Sequence, residues 1–256
     1  MSYTIAIAGK GGVGKTTISG LIIQYLCEMD KGPILAVDAD ANSNLNEVLG
    51  ETYDITLGEV REEIARSEIA EVSPIPKGMT KAQYADYRFG EALVETDKYD
   101  MLVMGRTQGE GCYCYVNGIL KSQIQKFAKN YKYIVVDNEA GMEHISRGVL
   151  PSVDTILLVS DCSRRSIQTV ARIAQLVKDL DIKAKQVKLI VNRVPGGKLS
   201  EAVENEIKNF GLDLIGVIPQ DEGVFTYDSE GKAICDLPED APIKVALREI
   251  VTKLNI

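Results

Sequence analysis

Short apolar runs alternate with longer amphipathic segments along the 256 residues of this chain. The runs indicate buried strands, because each consists mainly of Ile, Leu, Val and Ala over four to six positions. They are Tyr3–Ala8, Pro33–Asp38, Met101–Met104, Tyr133–Asp137, Thr155–Val159, Val187–Asn192 and Leu214–Ile218. Strands that alternate with helices predict an α/β fold of three layers, in which helices cover both faces of a mostly parallel central sheet. Ligands of such sheets bind at the carboxyl ends of the strands.

Amphipathic segments lie between these strands. We predict a helix from Ile18 onward and another over Ser166–Leu180, where apolar residues recur on one face. The segment Ile243–Ile256 is also amphipathic, but it contains Glu249, and packing on the sheet explains it more simply than binding to a membrane. The polar stretch Glu68–Lys98 fits neither pattern, and we expect a variable surface excursion there.

Composition and length favour one domain over residues 1–256, because no linker, low-complexity tract or internal repeat interrupts the sequence. The net charge of −8 disfavours a nucleic-acid partner, which requires a basic surface. No signal peptide and no apolar run long enough to span a bilayer are present, so we expect a cytoplasmic protein with no membrane partner. Its five cysteines are then expected to be thiols or metal ligands rather than disulfides.

A glycine-rich motif follows the first strand. The run Gly9–Thr16 has the spacing G-x-x-x-x-G-K-[ST], whose backbone N–H groups surround a phosphate at the positive end of the next helix. The predicted nucleotide contacts are Gly9, Gly11, Gly12, Val13, Gly14 and Thr17, with Lys15 reaching the β- and γ-phosphates and the Thr16 hydroxyl ligating Mg²⁺. A tight turn without nucleotide is the plain alternative, which the flanking strand and helix disfavour. The predicted fold is thus a three-layer P-loop NTPase.

Carboxylates end two of the predicted strands. Phosphoryl transfer needs one carboxylate to order Mg²⁺ and its water, and another to position the attacking water. We assign the magnesium to Asp137 and the attacking water to Asp38, with Asp40 contributing, although spacing alone does not separate the last two. An aspartate-rich turn is the plain alternative. Gly141, four residues after Asp137, is expected to sense the γ-phosphate.

The segment Asn192-Arg193-Val194-Pro195 bears on the choice of base. It falls where guanine-binding P-loop proteins carry N-K-x-D, and Pro195 replaces the aspartate that would pair with guanine. We therefore predict that the protein binds ATP rather than GTP. Asn192 is expected to bond to the adenine and Arg193 to line the nucleotide site. The backbone around Pro219, Gln220 and Asp221 is expected to line the other side.

The phosphate loop contains a second lysine, Lys10, directly after its first glycine. With this lysine, the run Gly9–Thr17 resembles the deviant Walker A family of P-loop ATPases. The resemblance implies that Lys10 crosses a subunit interface to the partner's phosphates, so that the protein forms a homodimer around two nucleotides. It also implies that Asp38–Asn44 is switch I and that Gly216–Glu222 is an adenine-pocket loop. A solvated loop lysine is the plain alternative.

The pair Cys112-Tyr113-Cys114 separates this chain from most of that family. Two thiolates one residue apart can hold one soft or borderline metal ion, but they do not complete a four-coordinate site. A twofold dimer would bring two pairs together and supply four sulfurs. Buried thiols and a local redox couple are the plain alternatives.

Together with Ala140–His144 and Ser146–Gly148, the cysteine pair resembles the nickel-handling maturation ATPases of carbon monoxide dehydrogenase, or of acetyl-CoA synthase. The resemblance implies Ni²⁺ bound by Cys112 and Cys114 of both subunits, and delivered after ATP hydrolysis to the apo-enzyme client. Zn²⁺ fits the same thiolates. The single histidine, His144, is either a transient nickel ligand or, more commonly, a structural hydrogen-bonding group.

Two other functions stay open. One is an electron-transfer ATPase like the nitrogenase iron protein, which bridges its dimer with four cysteines around an iron–sulfur cluster. That family takes one ligand near switch II, whereas this chain has no cysteine between Cys114 and Cys162. The other is a membrane- or DNA-associated positioning ATPase of the MinD and ParA type, which leaves the cysteine pair unexplained. Cys27, Cys162 and Cys235 are expected to be structural.

Overall fold

The computed structural model describes residues 2–67, 74–106, 122, 124–139 and 153–256. Their strands form one eight-stranded sheet in the order β3-β4-β2-β5-β1-β6-β7-β8. The bounds are β1 (Tyr3–Gly9), β2 (Ile34–Ala39), β3 (Leu93–Glu95), β4 (Asp100–Val103), β5 (Tyr133–Asn138), β6 (Thr155–Asp161), β7 (Gln186–Val194) and β8 (Leu214–Pro219). Every pairing is parallel except that of β3 with β4. The seven predicted strands are confirmed, each to within two residues at either end.

Helices cover both faces of the sheet. They are α1 (Lys15–Glu28), α2 (Leu45–Leu49), α3 (Leu57–Arg66), α4 (Lys81–Glu91), α5 (Arg164–Asp179), α6 (Glu201–Asn209), α7 (Glu222–Ser229) and α8 (Pro242–Lys253). Residues 124–128 are also helical, and short 3₁₀ turns lie at Pro195–Gly197 and Ile234–Asp236. The three-layer α/β arrangement predicted from the sequence is therefore confirmed.

The central strand β1 shows why its sequence is apolar at almost every position. Successive side chains of a strand point to opposite faces of the sheet. Ile5 and Ile7 belong to the core beneath α1 and α8, whereas Ala6 and Ala8 belong to the core beneath α3, α4 and α5. Because both faces are covered, the strand has no solvent side on which polar residues would alternate.

The structure corrects the expectation for Glu68–Lys98. Residues 74–98 of this stretch contain α4 and the edge strand β3 rather than a surface excursion. Phe89 of α4 is fully buried and its ring lies 4.7 Å from that of Phe127. The helix begins with a capping box in which Thr80 and Gln83 satisfy each other's backbone N–H groups. That signal was present in the sequence, but the apolar face of α4 is short.

The last helix packs on the sheet, as the sequence predicted. Ile243, Leu247 and Ile250 of α8 are buried in the core shared with α1. Gly216 of β8 makes the close approach of α8 possible, since a Cβ there would lie 2.3 Å from Cγ1 of Ile250. In the part of the chain that the structure describes, no helix has both the length and the apolar character needed to cross a membrane.

Candidate functional site

The phosphate loop joins β1 to α1 at the carboxyl edge of the sheet. Two of its glycines are required by close contacts, and one of these also by its positive φ angle. A Cβ at Gly9 would lie 2.2 Å from the carbonyl oxygen of Val159 on the neighbouring strand β6. Gly14 has φ 91° and begins α1, and a Cβ there would lie 2.5 Å from Nδ2 of Asn192. The loop therefore accepts no side chain at either position without displacement of a neighbour.

The two lysines of the loop differ in their surroundings. Lys15 is 7% exposed, and its Nζ donates a hydrogen bond to the main-chain oxygen of Lys10 at 3.3 Å. The side chain of Lys10 is exposed to solvent. Lys15, Thr16 and Thr17 line a cavity of about 790 Å³ that also borders Asp40. The cavity thus combines the positive helix end and a buried ammonium, as an anionic ligand requires.

Asp137 ends β5 beside the start of α1. Ser19 Oγ donates a hydrogen bond to its Oδ1 at 3.0 Å, and the nearby Thr16 hydroxyl also favours its ionised form. Burial raises the pKa of Asp137 to about 6, against the opposing effect of these two hydroxyls and Lys15. Its second oxygen, Oδ2, is buried and has no hydrogen-bond partner among the described residues.

These donors fit Mg²⁺. A buried, partnerless carboxylate oxygen next to a threonine hydroxyl is a hard-oxygen environment that suits the ion directly or through a water ligand. Thr16 and Asp137 are the residues that would hold it. When bound, Mg²⁺ neutralises charge on the phosphates during transfer.

Asp38 and Asp40 have different environments although they are two residues apart. Asp38 is fully buried, and its carboxylate accepts hydrogen bonds from the backbone N–H groups of Asp40 and Leu45, both at 3.0 Å. Burial, with a smaller contribution from nearby Asp137, raises the pKa of Asp38 to about 7 despite the opposing effect of the bond from Leu45. Asp40 is half-buried and lines the cavity. Asp38 therefore shapes the loop after β2, whereas Asp40 faces the space that a nucleotide would occupy.

A second cavity, of about 630 Å³, adjoins the first and shares Thr17 and Arg193 with it. It brings together the predicted base-binding residues from the ends of β7 and β8. Its lining includes Asn192, Arg193, Pro219, Gln220 and Asp221, together with Phe225 of α7, which is 75% exposed. A flat apolar ring at an open cavity of this size suits a nucleobase.

Asn192 and Arg193 also fasten β7 to the phosphate loop. Nδ2 of Asn192 donates to the carbonyl oxygen of Val13, and Nη1 of Arg193 donates to that of Gly12, both at 2.9 Å. The Oδ1 atom of Asn192 accepts a bond from the backbone N–H of Arg193. Contacts of the two side chains to a nucleotide stay a prediction, as does the hydrogen bond of Asn192 to adenine.

Asp221 has a structural function in addition to its place at the cavity. One carboxylate oxygen accepts from the backbone N–H of Gly223 at 2.9 Å and the other from that of Ile243 at 3.1 Å. It therefore caps α7 and ties it to the start of α8. This leaves the backbone of the loop, rather than the carboxylate, to face a base.

Three residues near the first cavity had no predicted function: Ser19, Glu139 and Arg106. Ser19 lies one helical turn after Lys15, and that spacing could have indicated its contact with Asp137. Glu139 lines the cavity two residues after Asp137. Arg106 follows β4, and its Nη2 donates to Oδ1 of Asn42 at 3.0 Å. No sequence pattern points to this last contact, since it joins residues 64 positions apart.

Cys112, Cys114, Gly141 and His144 lie outside the described residues, so the predictions for them stay predictions. Among the residues that are described, no group of three or more His, Cys, Asp or Glu side chains is arranged to hold a metal ion. Cys27 and Cys235 are half-buried free thiols, and burial raises their pKa to about 11 and about 12. Neither is a thiolate at neutral pH, as expected of structural cysteines.

A phosphate loop between a buried strand and a helix, with carboxylates at the ends of neighbouring parallel strands, defines a P-loop nucleoside triphosphatase. The chain belongs to the CobQ/CobB/MinD/ParA nucleotide binding domain family, whose profile matches residues 4–234. The protein is accordingly an ATPase of this family, which confirms the predicted class and nucleotide.

Similar proteins cover the chain almost completely. It is 41% identical over 250 residues to an uncharacterized ATP-binding protein of Methanocaldococcus jannaschii. The aligned region covers 98% of this chain and 97% of that protein. It is 30% identical over 254 residues to the carbon monoxide dehydrogenase accessory protein CooC of Rhodospirillum rubrum. The aligned region covers 91% of this chain and 89% of that protein. Its fold is similar to that of the septum site-determining protein MinD of Pyrococcus horikoshii, solved with Mg-ADP. The TM-score is 0.70 at 21% identity, over 100% of this chain and 96% of that one.

Proposed function

We propose that this protein is an ATP-hydrolysing metallochaperone that dimerises with nucleotide and binds nickel through Cys112 and Cys114 of both subunits. Its client is apo carbon monoxide dehydrogenase, or alternatively acetyl-CoA synthase. The observation that carries the proposal is a C-x-C pair in a chain that belongs to this ATPase family and is 30% identical to CooC over 91% of its length. That relative is named as an accessory protein of carbon monoxide dehydrogenase.

The surroundings of the carboxylates support different functions for Asp38, Asp40 and Asp137 in hydrolysis. Lys15 contacts the β- and γ-phosphates, while Thr16 and Asp137 hold Mg²⁺. We assign the attacking water to Asp40, because it lines the cavity, whereas both oxygens of Asp38 bond to backbone N–H groups. Asp38 then sets the shape of switch I. This differs from the assignment made from the sequence, which gave the attacking water to Asp38 with Asp40 contributing.

Dimerisation is supported by the contrast between the two lysines. Lys15 is buried within its own loop, whereas the side chain of Lys10 is exposed and free to reach a second subunit. Two facing triphosphates repel each other, and one added cation for each site offsets that repulsion. The same twofold contact is what a four-sulfur metal site made from two C-x-C pairs requires.

The decisive experiment is a nickel titration of the reduced protein, with and without ATP, alongside metal analysis of the protein as purified. Wild type should bind one Ni²⁺ per dimer, and Zn²⁺ should compete for the same site. Cys112→Ala and Cys114→Ala should each lose tight binding yet keep ATP hydrolysis. Cys162→Ala, at a half-buried cysteine outside the pair, is the matched control and should bind nickel normally. Unchanged nickel affinity in both C-x-C variants would exclude this site.

A positioning ATPase is the second candidate, favoured by the fold shared with MinD. Membrane attachment through the last helix is not supported, because the apolar face of α8 is buried against the sheet. Sedimentation with anionic liposomes in the presence of ATP distinguishes this candidate from a metallochaperone. An iron–sulfur protein would instead show a stoichiometric visible chromophore when purified without oxygen.

A further inference from the structure

Three hydrogen-bonded residues connect the ATP cavity to the chain that leaves β4. Asp40 lines the cavity, and its Oδ1 accepts a hydrogen bond from the backbone N–H of Asn42 at 2.9 Å. The side-chain Oδ1 of Asn42 in turn accepts from Nη2 of Arg106 at 3.0 Å. Asn42 therefore holds the carboxylate of Asp40 on one side and is itself held by a guanidinium on the other.

The backbone that carries Arg106 is fixed in place. The N–H of Met104 donates to the carbonyl oxygen of Asp38, and the carbonyl oxygen of Met104 accepts from Gly58, both at 2.8 Å. Gly105 has φ 66°, and a Cβ there would lie 2.6 Å from Cβ and Oγ1 of Thr56. Arg106 thus projects from a segment anchored to β2 and to the start of α3.

The loop that Arg106 contacts needs such an anchor. Asn42 is exposed, and Ser43 has φ 53°, a left-handed backbone conformation that is unfavourable for a residue other than glycine. On its inner side the loop is held by Asp38, through the N–H groups of Asp40 and Leu45. On its outer side, among the described residues, Arg106 is the side chain that bonds to Asn42.

We infer that Arg106 is a positioning residue for ATP hydrolysis, acting through Asn42 on the carboxylate of Asp40. The inference rests on the water-positioning function proposed for Asp40. Without the guanidinium, Asn42 loses its outer contact, and the N–H that orients Asp40 becomes less well placed. Hydrolysis is sensitive to such a change because a small misplacement of a water-positioning group slows the chemical step. ATP binding depends mainly on the phosphate loop and should be unaffected.

The experiment compares steady-state ATPase kinetics of wild type, Arg106→Ala, Asn42→Ala and the double variant. Each single variant should lower kcat about threefold to tenfold, the loss of one hydrogen bond. In Arg106→Ala the KM for ATP should stay within about twofold of the wild-type value and the Tm within about 1 °C. A contact that only stabilised the fold would instead lower the Tm. The double variant should be no slower than the singles, because the two residues act as one unit.

Two conservative variants test whether the donor and the acceptor of this hydrogen bond are what matters. Arg106→Lys keeps a donor and should recover most of kcat, as should Asn42→Asp, which keeps the acceptor. Arg172→Ala removes an exposed arginine of α5, outside the ATP site, and should behave like wild type. Unchanged kcat in Arg106→Ala, or additive losses in the double variant, would overturn the inference. Asp40→Asn tests the function proposed for Asp40 separately. If this variant keeps the wild-type kcat, Asp40 does not position the attacking water, and the inference about Arg106 is wrong as well.

Discussion

Asp38 and Asp137 lie directly opposite each other on the neighbouring parallel strands β2 and β5. Both are buried, and burial is the main reason that their pKa values rise to about 7 and about 6. Without a bound cation, ionising the pair is therefore unfavourable. Mg²⁺ bound by Thr16 and Asp137 would remove that disadvantage, because its positive charge would offset the cost of ionising buried carboxylates.

The first prediction concerns the charge of Asp137. Its pKa is about 6 in the folded protein against 3.8 for the model compound, so the folded state favours the protonated form. The stability from this preference is complete below about pH 4 and is lost as the pH rises through 6. Asp137→Asn removes the charge and can keep the hydrogen bond from Ser19. We expect it to raise the free energy of unfolding at pH 8 by up to about 3 kcal/mol, and to change little at pH 4.

Urea unfolding of the nucleotide-free, metal-free protein at both pH values measures this difference. The same variant should lose the extra stability that Mg-ADP gives to wild type at pH 8, because the ligand that holds the metal is gone. Wild type with ADP and a chelator is the control. An Asp137→Asn protein that is less stable than wild type at pH 8 without metal would contradict the electrostatic argument.

A second prediction concerns the contact between α1 and α2, the helix that follows switch I. A Cβ at Gly20 would lie 2.4 Å from Cγ1 of Val48 on α2, the short helix that follows the loop of Asp40. Alanine favours helices by about 1 kcal/mol over glycine. Gly20→Ala should nevertheless destabilise the protein by about 1–3 kcal/mol, because α2 must move away.

Val48→Ala is the matched compensating change. The double variant Gly20→Ala/Val48→Ala should regain most of the lost stability, since the shortened side chain leaves room for the new methyl group. Urea unfolding and ATPase rate should recover together if α2 sets the position of switch I. A double variant whose loss equals the sum of the single losses would show that the two residues do not compete for space.

A third prediction separates the two lysines of the phosphate loop. Lys15→Ala should abolish nucleotide binding, because it removes a buried ammonium that lines the cavity within the phosphate loop. Lys10→Ala should keep nucleotide affinity but lose the dimer that forms with a non-hydrolysable ATP analogue. Light scattering after size exclusion measures the dimer, and Lys208→Ala on α6 is the control. A full dimer of Lys10→Ala would show that this lysine does not bridge the subunits.

The parts of this structure that the sequence predicted well are those with strong local patterns. The strands were found because burial on both faces leaves uninterrupted apolar runs, and the phosphate loop was found because Gly9 and Gly14 are required by backbone geometry. By contrast, α4 was missed although Thr80 and Gln83 signal its start, since only a few of its positions face the core. The different surroundings of Asp38 and Asp40 depend on hydrogen bonds and a cavity that spacing does not reveal.

The last prediction joins the ATP site to the proposed metal site. Arg106 lies six residues before Cys112 in the sequence, and it bonds to switch I through Asn42. If ATP changes the nickel affinity by some factor, nickel must change the affinity for ATP by the same factor. We expect a coupling of about fivefold or more in wild type, measured by titrating each ligand with and without a non-hydrolysable form of the other.

Arg106→Ala should bind each ligand alone as tightly as wild type, but the coupling factor should fall toward one. Arg172→Ala should keep the wild-type factor. Wild-type coupling that persists in Arg106→Ala would show that the ATP and metal sites communicate by a route other than Asn42, while the function of Arg106 in hydrolysis would still be judged by kcat. A wild type that binds no nickel would instead refute the metallochaperone proposal, because the cysteine pair would then have no metal ion to deliver.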